Sequence, residues 1–164
     1  MNYLNDNLVL PILIYGCEVW GFENIDHIEI FYRNFLRRLL KVNKMTANCM
    51  LYGEVGKYKL VSIVAKRIIQ FWSRMVTGKQ TKFSFRLYSL MNSMDVSDGS
   101  SFCSKWICNV RKILNLSGFS NIWLAQGNHN SKWLKLSLEQ RIKDMNQQEW
   151  LSDVNSNSLC YKTI

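Results

Sequence analysis

The amino-acid sequence predicts an all-α fold, an irregular bundle of about five to six helices with short helical turns between them. The 164 residues include one proline and eight glycines, whereas average usage would give about eight prolines. Because proline and glycine punctuate turns, their scarcity argues against a β-sandwich. Several segments carry apolar residues at helical spacing. A content of 48% hydrophobic and 20% charged residues excludes a disordered chain.

The N-terminal part predicts an apolar segment at residues 8–20, followed by an amphipathic helix. This helix is expected over about residues 24–42, with Asn24 as its N-cap. Asp26 and Glu29 fall in its first turns, where the helix dipole favours anions. Its apolar face is formed by Ile25, Ile28, Tyr32, Phe35, Leu36 and Leu39.

A short helix and a second amphipathic helix are expected next. The short helix covers residues 46–52 and ends at a turn around Gly53 and Gly56. The longer helix covers about residues 60–76, and Gly78 follows it at the position that favours glycine. Its apolar face is formed by Val61, Val64, Ala65, Ile68, Trp72 and Met75.

The second half predicts three further helices, over about residues 82–94, 102–114 and 131–151. A short turn or helix is expected at residues 119–126, and the polar tail from Asn155 is expected to fray.

A stretch of small polar residues at 96–101 predicts a linker between two domains. We therefore expect a basic helical domain at residues 1–95 and a C-terminal helical region at residues 102–164.

The net charge of +9 is concentrated in the middle of the chain. Residues 1–29 hold five acidic side chains and no basic one, whereas residues 30–90 hold thirteen basic side chains and one acidic one. Such a block is typical of a polyanion partner, most often nucleic acid, although a solvated surface of a cationic protein is the alternative. We predict sequence-nonspecific contact with RNA or DNA through the basic residues beside the two apolar stripes: Arg33, Arg37, Arg38, Lys41, Lys66, Arg67 and Arg74.

No catalytic or metal site is expected. Nucleotidyl transfer with paired Mg²⁺ needs clustered carboxylates, and Glu54 is the single carboxylate of residues 30–90. Two histidines, His27 and His129, lie near no nucleophile motif. The five cysteines lack zinc-site spacing and are expected to be reduced thiols: Cys17, Cys49, Cys103, Cys108 and Cys160. We therefore expect no cofactor.

The sequence also predicts an intracellular protein, cytoplasmic or nuclear, that does not enter a membrane. The longest apolar run, at residues 8–17, is interrupted by Pro11 and is shorter than the about 20 residues of a spanning helix. The first seven residues carry Asp6 and no lysine or arginine, unlike a secretory signal.

An ordered set of motifs resembles the thumb and post-palm region of non-LTR, LINE-type and jockey-like, retrotransposon reverse transcriptases. The sequence LPILIYGCEVWG at residues 10–21 is similar to the family segment PILLYGxExWG, and LYGEVGKYKL at residues 51–60 to LYGELGRYPL. Further similar segments follow in the family's order, at residues 66–74, 77–79, 116–123 and 147–150. The motif residues for which the resemblance implies a structural role are Tyr15, Gly16, Glu18, Trp20, Tyr52, Gly53 and Glu54.

The resemblance implies an all-helical region that grips template–primer or element RNA while a separate palm domain carries out polymerisation. The aromatic-Ala-Asp-Asp turn of the palm is absent, and no endonuclease domain precedes Met1. We therefore expect a truncated, non-catalytic fragment, with the missing palm as a second partner. Two alternatives stay open: a domesticated protein-interaction module without nucleic-acid binding, and a fragment that does not fold alone because its apolar segment at residues 8–14 lacks a partner.

Overall fold

Nine α-helices make up most of the part of the chain that the structure describes. The structure is a computed structural model that describes residues 5–23, 25–79, 81–97 and 104–162, and all their side chains except those of 94–97 and 157–162. A π-helical segment at Asn5–Val9 precedes α1 (Leu10–Leu13), α2 (Cys17–Trp20), α3 (Ile25–Leu40), α4 (Asn48–Val55), α5 (Leu60–Val76), α6 (Phe83–Ser97), α7 (Lys105–Leu116), α8 (Ser120–Ala125) and α9 (Ser131–Lys162). No strand occurs in these ranges, which confirms the all-α prediction.

Four helices, α4, α6, α7 and α9, end later than expected. The helix α4 continues through Gly53, which was expected in a turn, and stops at Gly56, whose φ of 65° is left-handed. The helix α9 continues to Lys162, so the expected fraying from Asn155 is wrong. Beyond the expected end at residue 151, Asp153 of α9 still contacts another element, through an ion pair with Lys59.

Several expectations fall outside the described residues: the N-cap at Asn24, the first residues of the helix predicted from 102, and most of the linker. Residues 96 and 97 of that linker belong to α6. The predicted domain boundary stays a prediction.

The chain forms two compact units. Unit 1 combines Met1–Val64 with Ile142–Ile164, and unit 2 comprises Ala65–Arg141. The helices α5 and α9 each contribute one end to each unit.

Unit 1 is organised around a buried carboxylate, Glu29 of α3, which is 6% exposed. One carboxylate oxygen accepts a hydrogen bond from the hydroxyl of Tyr52 in α4. The other accepts one from the backbone N–H of Val61, at 3.3 Å. That N–H lies in the first turn of α5, where backbone donors have no partner within the helix. One side chain therefore joins three helices. From the sequence, Glu29 was expected only to interact favourably with the dipole of its own helix, so this role was not predicted.

The protonation of Tyr52 suits this arrangement. Burial, followed by the hydrogen bond to Glu29 and the charge of Glu29, raises the pKa of Tyr52 far above its usual value. The hydroxyl therefore keeps its proton and remains a donor.

The C-terminal end of α9 packs on α4 through Trp150. Its indole Nε1 donates a hydrogen bond to the backbone carbonyl of Cys49, at 2.9 Å. A Cβ atom added to Gly53 would lie 3.2 Å from this indole, so the glycine makes room for the tryptophan. The contact explains why a glycine stands inside α4.

An ion pair joins α9 to the segment before α5. The Nζ atom of Lys59 lies 2.7 Å from a carboxylate oxygen of Glu149 and 3.4 Å from one of Asp153. Burial by itself lowers the pKa of Lys59, but the hydrogen bonds and charges of the two carboxylates outweigh it and raise the pKa. Lys59 stands at the position of a proline in the similar reverse-transcriptase segment. In this chain it forms ion pairs with two carboxylates of α9.

Unit 2 is organised around Trp72 of α5, which is completely buried. The rings of Trp123 and His129 both stack on it, each at a centroid distance of 5.7 Å. The Nε2 atom of His129 lies 2.9 Å from Ser73 Oγ, and the guanidinium of Arg111 lies 5.2 Å from the centroid of Trp123. Trp72 is therefore a core residue, as its helical phase predicts, and Trp123 is a second core residue.

We predict that Glu29→Ala lowers the free energy of unfolding by about 2–4 kcal/mol, because it leaves the buried Tyr52 hydroxyl without an acceptor and removes the acceptor of the Val61 N–H. Urea denaturation measures the change. Glu54→Ala removes an exposed carboxylate from the neighbouring helix and should change it by less than about 0.5 kcal/mol. Equal losses in the two variants would contradict the role of Glu29.

We also predict that stability falls in mildly acidic solution because of His129. Burial lowers the pKa of His129 from its usual 6.5, so below that pH the unfolded chain takes up a proton that the folded chain takes up only at lower pH. The contribution to the unfolding free energy is therefore complete above about pH 6.5 and decreases as the pH falls towards the folded-state pKa. Denaturation at a series of pH values measures it. His129→Gln should flatten the profile and His27→Gln, at an exposed histidine, should not; a profile that His129→Gln leaves unchanged would reject the assignment.

Candidate nucleic-acid interface

The seven basic residues predicted to contact nucleic acid divide between the two units. Arg33, Arg37 and Arg38 lie on α3 and Lys41 directly follows it, all in unit 1, whereas Lys66, Arg67 and Arg74 lie in the part of α5 that belongs to unit 2. Three of the seven are exposed and four are half-buried; the exposed ones are Arg38, Lys41 and Arg74.

Arg37 holds the loop between α3 and α4. Its Nη2 atom donates a hydrogen bond to Asn48 Oδ1, at 2.7 Å, and to the backbone carbonyl of Thr46, at 3.2 Å. Its guanidinium therefore connects the last turns of α3 to the first residue of α4. Arg33 also acts inside unit 1, because its charge lies close enough to Tyr52 to oppose the rise in the pKa of that hydroxyl.

Lys66 forms an ion pair within unit 2. Its Nζ atom lies 2.7 Å from Glu139 Oε1, and both side chains are about one-third exposed. The pair connects α5 to α9. Arg37 and Lys66 therefore both have their charged atoms in specific contacts within the chain.

The structure adds exposed basic residues that the helix-face criterion missed. Lys44 follows Lys41 in the loop after α3, and Lys79, Lys82 and Arg86 lie around the loop between α5 and α6; all are exposed. A Cβ atom on Gly78 would lie 4.0 Å from the Lys82 stem, which places Lys82 against the end of α5. One feature of the sequence could have indicated these residues: no aspartate or glutamate occurs from residue 55 to residue 94.

We define two exposed groups. The α3 cluster consists of Arg38, Lys41 and Lys44, and the α5–α6 cluster consists of Arg74, Lys79, Lys82 and Arg86. Each is a set of cationic side chains with solvent access in a stretch of sequence with few carboxylates. Such a set raises the local concentration of polyanions.

The motif residues of the N-terminal segment form a helix junction. Gly16 has a φ of 65°, in the left-handed region between α1 and α2. The indole Nε1 of Trp20 donates a hydrogen bond to the backbone carbonyl of Tyr15, at 2.8 Å. Tyr15 itself is 83% exposed and Glu18 is half-buried. The Trp20 indole therefore closes the junction between α1 and α2, and the structural role that the resemblance implies for these residues stays a prediction.

Among the motif residues of α4, Tyr52 is buried, and Gly53 and Glu54 are exposed. Tyr52 packs against Glu29, and Gly53 packs under Trp150. Residues of two motif segments, at 51–60 and 147–150, therefore meet in unit 1.

Side chains suited to metal binding are dispersed. Among the described residues, no group of three or more His, Cys, Asp or Glu side chains could hold a metal ion. Cys17 and Cys49 are buried, but Cys108 is disulfide-bonded. The expectation of reduced thiols is wrong at Cys108, because wide and irregular cysteine spacing does not by itself exclude a disulfide. No helix in the described ranges is both long and apolar enough to cross a bilayer.

Comparisons of the chain with protein-family models, curated proteins and solved structures returned no match. The relation to reverse transcriptases therefore rests on the sequence motifs and stays a prediction.

We predict that two neighbouring arginines differ in their effect on stability. Arg37→Met removes the hydrogen bonds to Thr46 and Asn48 and should lower the free energy of unfolding by about 1–2 kcal/mol. Arg38→Met, at the exposed neighbour, is the matched control and should change it by less than about 0.5 kcal/mol. Urea denaturation of both variants checks this, and a larger loss for Arg38→Met would contradict it.

Proposed function

We propose that this chain is a non-catalytic module that binds RNA or DNA without sequence preference through exposed basic residues. The observation that carries the proposal is the exposure of the α3 and α5–α6 clusters, seven cationic side chains within a stretch, residues 30–90, that contains one carboxylate. Cationic side chains with solvent access can contact phosphate oxygens, and such contacts carry no sequence information.

The resemblance supports a more specific form of the proposal. In it, the chain corresponds to the thumb and post-palm region of a non-LTR retrotransposon reverse transcriptase and contacts template–primer or element RNA. The packing of Trp150 on Gly53 supports treating the early and late motifs as parts of one structural unit. The proposal includes an intracellular location, cytoplasmic or nuclear.

A palm domain is the second proposed partner. The support for it is a set of apolar side chains in the N-terminal segment that are more than half exposed: Leu8, Ile12, Tyr15 and Val19. Large apolar side chains at such exposure are typical of surfaces that pack on another protein.

A protein-interaction module without nucleic-acid binding is the competing candidate. The internal contacts of Arg37 and Lys66 favour it, because they show that some of the basic residues serve the fold.

We predict salt-dependent binding to oligonucleotides of unrelated sequence. Each neutralised phosphate releases counterions, so four to six contacts should give a slope of log affinity against log salt of about −3 to −5. The triple variant Arg38→Glu, Lys41→Glu, Lys44→Glu should weaken binding at least about tenfold, and reduce the slope by about 2–3, alike for all sequences. Fluorescence anisotropy measures both quantities.

The matched control carries the same change in net charge on α9, as Lys132→Glu, Lys135→Glu, Lys143→Glu at three exposed lysines. It should bind close to the level of the parent chain. Equal weakening in the two triple variants would assign binding to net charge alone, and the absence of salt-dependent binding in the parent would favour the protein-interaction module.

A further inference from the structure

Unit 2 contains a cleft beside α6, close to the α5–α6 cluster. The cleft has a volume of about 400 Å³ and is lined by residues of α5, α6 and the end of α8, among them Val76, Phe85, Asn92 and Gln126. A more open depression of about 620 Å³ adjoins it and adds Arg86. The two share Phe85, Ser89 and Ser93 and form one continuous surface, which we call the α6 cleft.

One wall of the α6 cleft is held in place without a ligand. The hydroxyl of Tyr88 donates a hydrogen bond to Gln126 Oε1, at 2.6 Å, and Gln126 Nε2 donates one to the backbone carbonyl of Trp123, at 2.8 Å. The next residue, Gly127, has a φ of 97°, and a Cβ atom there would lie 2.8 Å from Val76. The volume lies within the range of small-ligand sites, and the two hydrogen bonds fix the position of Gln126.

The lining has the chemistry of a site for a neutral aromatic group. It offers the half-buried ring of Phe85, the hydroxyl of Ser89 and the amide of Asn92, and its one charged side chain is Arg86 at the open side. Lys82 is one helical turn before Arg86. A ligand that suits this lining has a planar ring, which stacks on Phe85, and an attached anion. The anion would reach the cationic side chains of Arg86 and Lys82 at the edge of the cleft.

We propose that the α6 cleft receives an unpaired nucleobase of a single-stranded nucleic acid, with the adjoining phosphates on Lys82 and Arg86. Single-strand binders combine a cationic track with aromatic side chains on which bases stack. A paired base in a duplex is stacked between its neighbours and does not enter a cleft, so the chain prefers single strands. This inference rests on the proposed function and names the class of nucleic acid.

The test compares a labelled single-stranded oligothymidylate with a duplex of equal length at one salt concentration. The parent chain binds the single strand at least about tenfold more tightly. Phe85→Leu removes the aromatic face and weakens single-strand binding about tenfold, while duplex binding stays the same; Phe85→Tyr keeps the ring and restores single-strand affinity.

A second variant keeps the test valid if Phe85→Leu perturbs folding, which thermal denaturation reveals. Ser89 is exposed, so Ser89→Trp fills the cleft from its open side, and Ser152→Trp places the same side chain at an exposed position of α9 in unit 1. Single-strand binding weakens in the first and not in the second.

The outcomes separate the inference from the proposed function. Salt-dependent binding that is equal for single strand and duplex, and unchanged by Ser89→Trp, would overturn the proposal that the α6 cleft binds a nucleobase. It would leave the proposed function intact. No salt-dependent binding of either oligonucleotide overturns both.

Discussion

The fold of unit 1 depends on one buried carboxylate. Glu29 accepts hydrogen bonds from α4 and from the first turn of α5, so three helices share a single polar centre. A buried anion is costly unless its oxygens have donors, and each oxygen of Glu29 has one. The same centre fixes the helix whose last turn carries Arg38 and leads to Lys41, so the exposed cations of unit 1 stand on a scaffold set by a negative charge inside it.

The basic residues of the chain have two different uses. Arg37 and Lys66 connect elements within their own units, whereas Lys41, Lys44, Lys79 and Lys82 stand in or beside loops and are exposed. Charge that was expected along helix faces is thus most accessible near helix ends. A polyanion that binds there meets flexible lysine stems, which adapt to phosphates in many arrangements and carry little sequence information.

Periodicity was enough to predict α3, α5 and the start of α9, because their apolar faces repeat over several turns. It did not predict the continuation of α4 through Gly53, the burial of Glu29 or the full length of α9. The first two depend on partners distant in sequence, Trp150 for Gly53 and Tyr52 for Glu29, which no local pattern contains. For the candidate interface, helical phase found the exposed Arg38 and Arg74, but it missed Lys79 and Lys82, since a loop has no phase.

The order in which the polypeptide leaves the ribosome gives the two units different histories. Unit 2 is one continuous stretch, Ala65–Arg141, whereas unit 1 needs residues from both ends of the chain. The pairing of Cys49 and Gly53 with Trp150 spans about a hundred positions. All residues of unit 2 are therefore synthesised before the second half of α9. Unit 1 cannot bury its apolar surfaces until that half of α9 has been synthesised. During synthesis, apolar surface of unit 1 is therefore exposed for longer than apolar surface of unit 2.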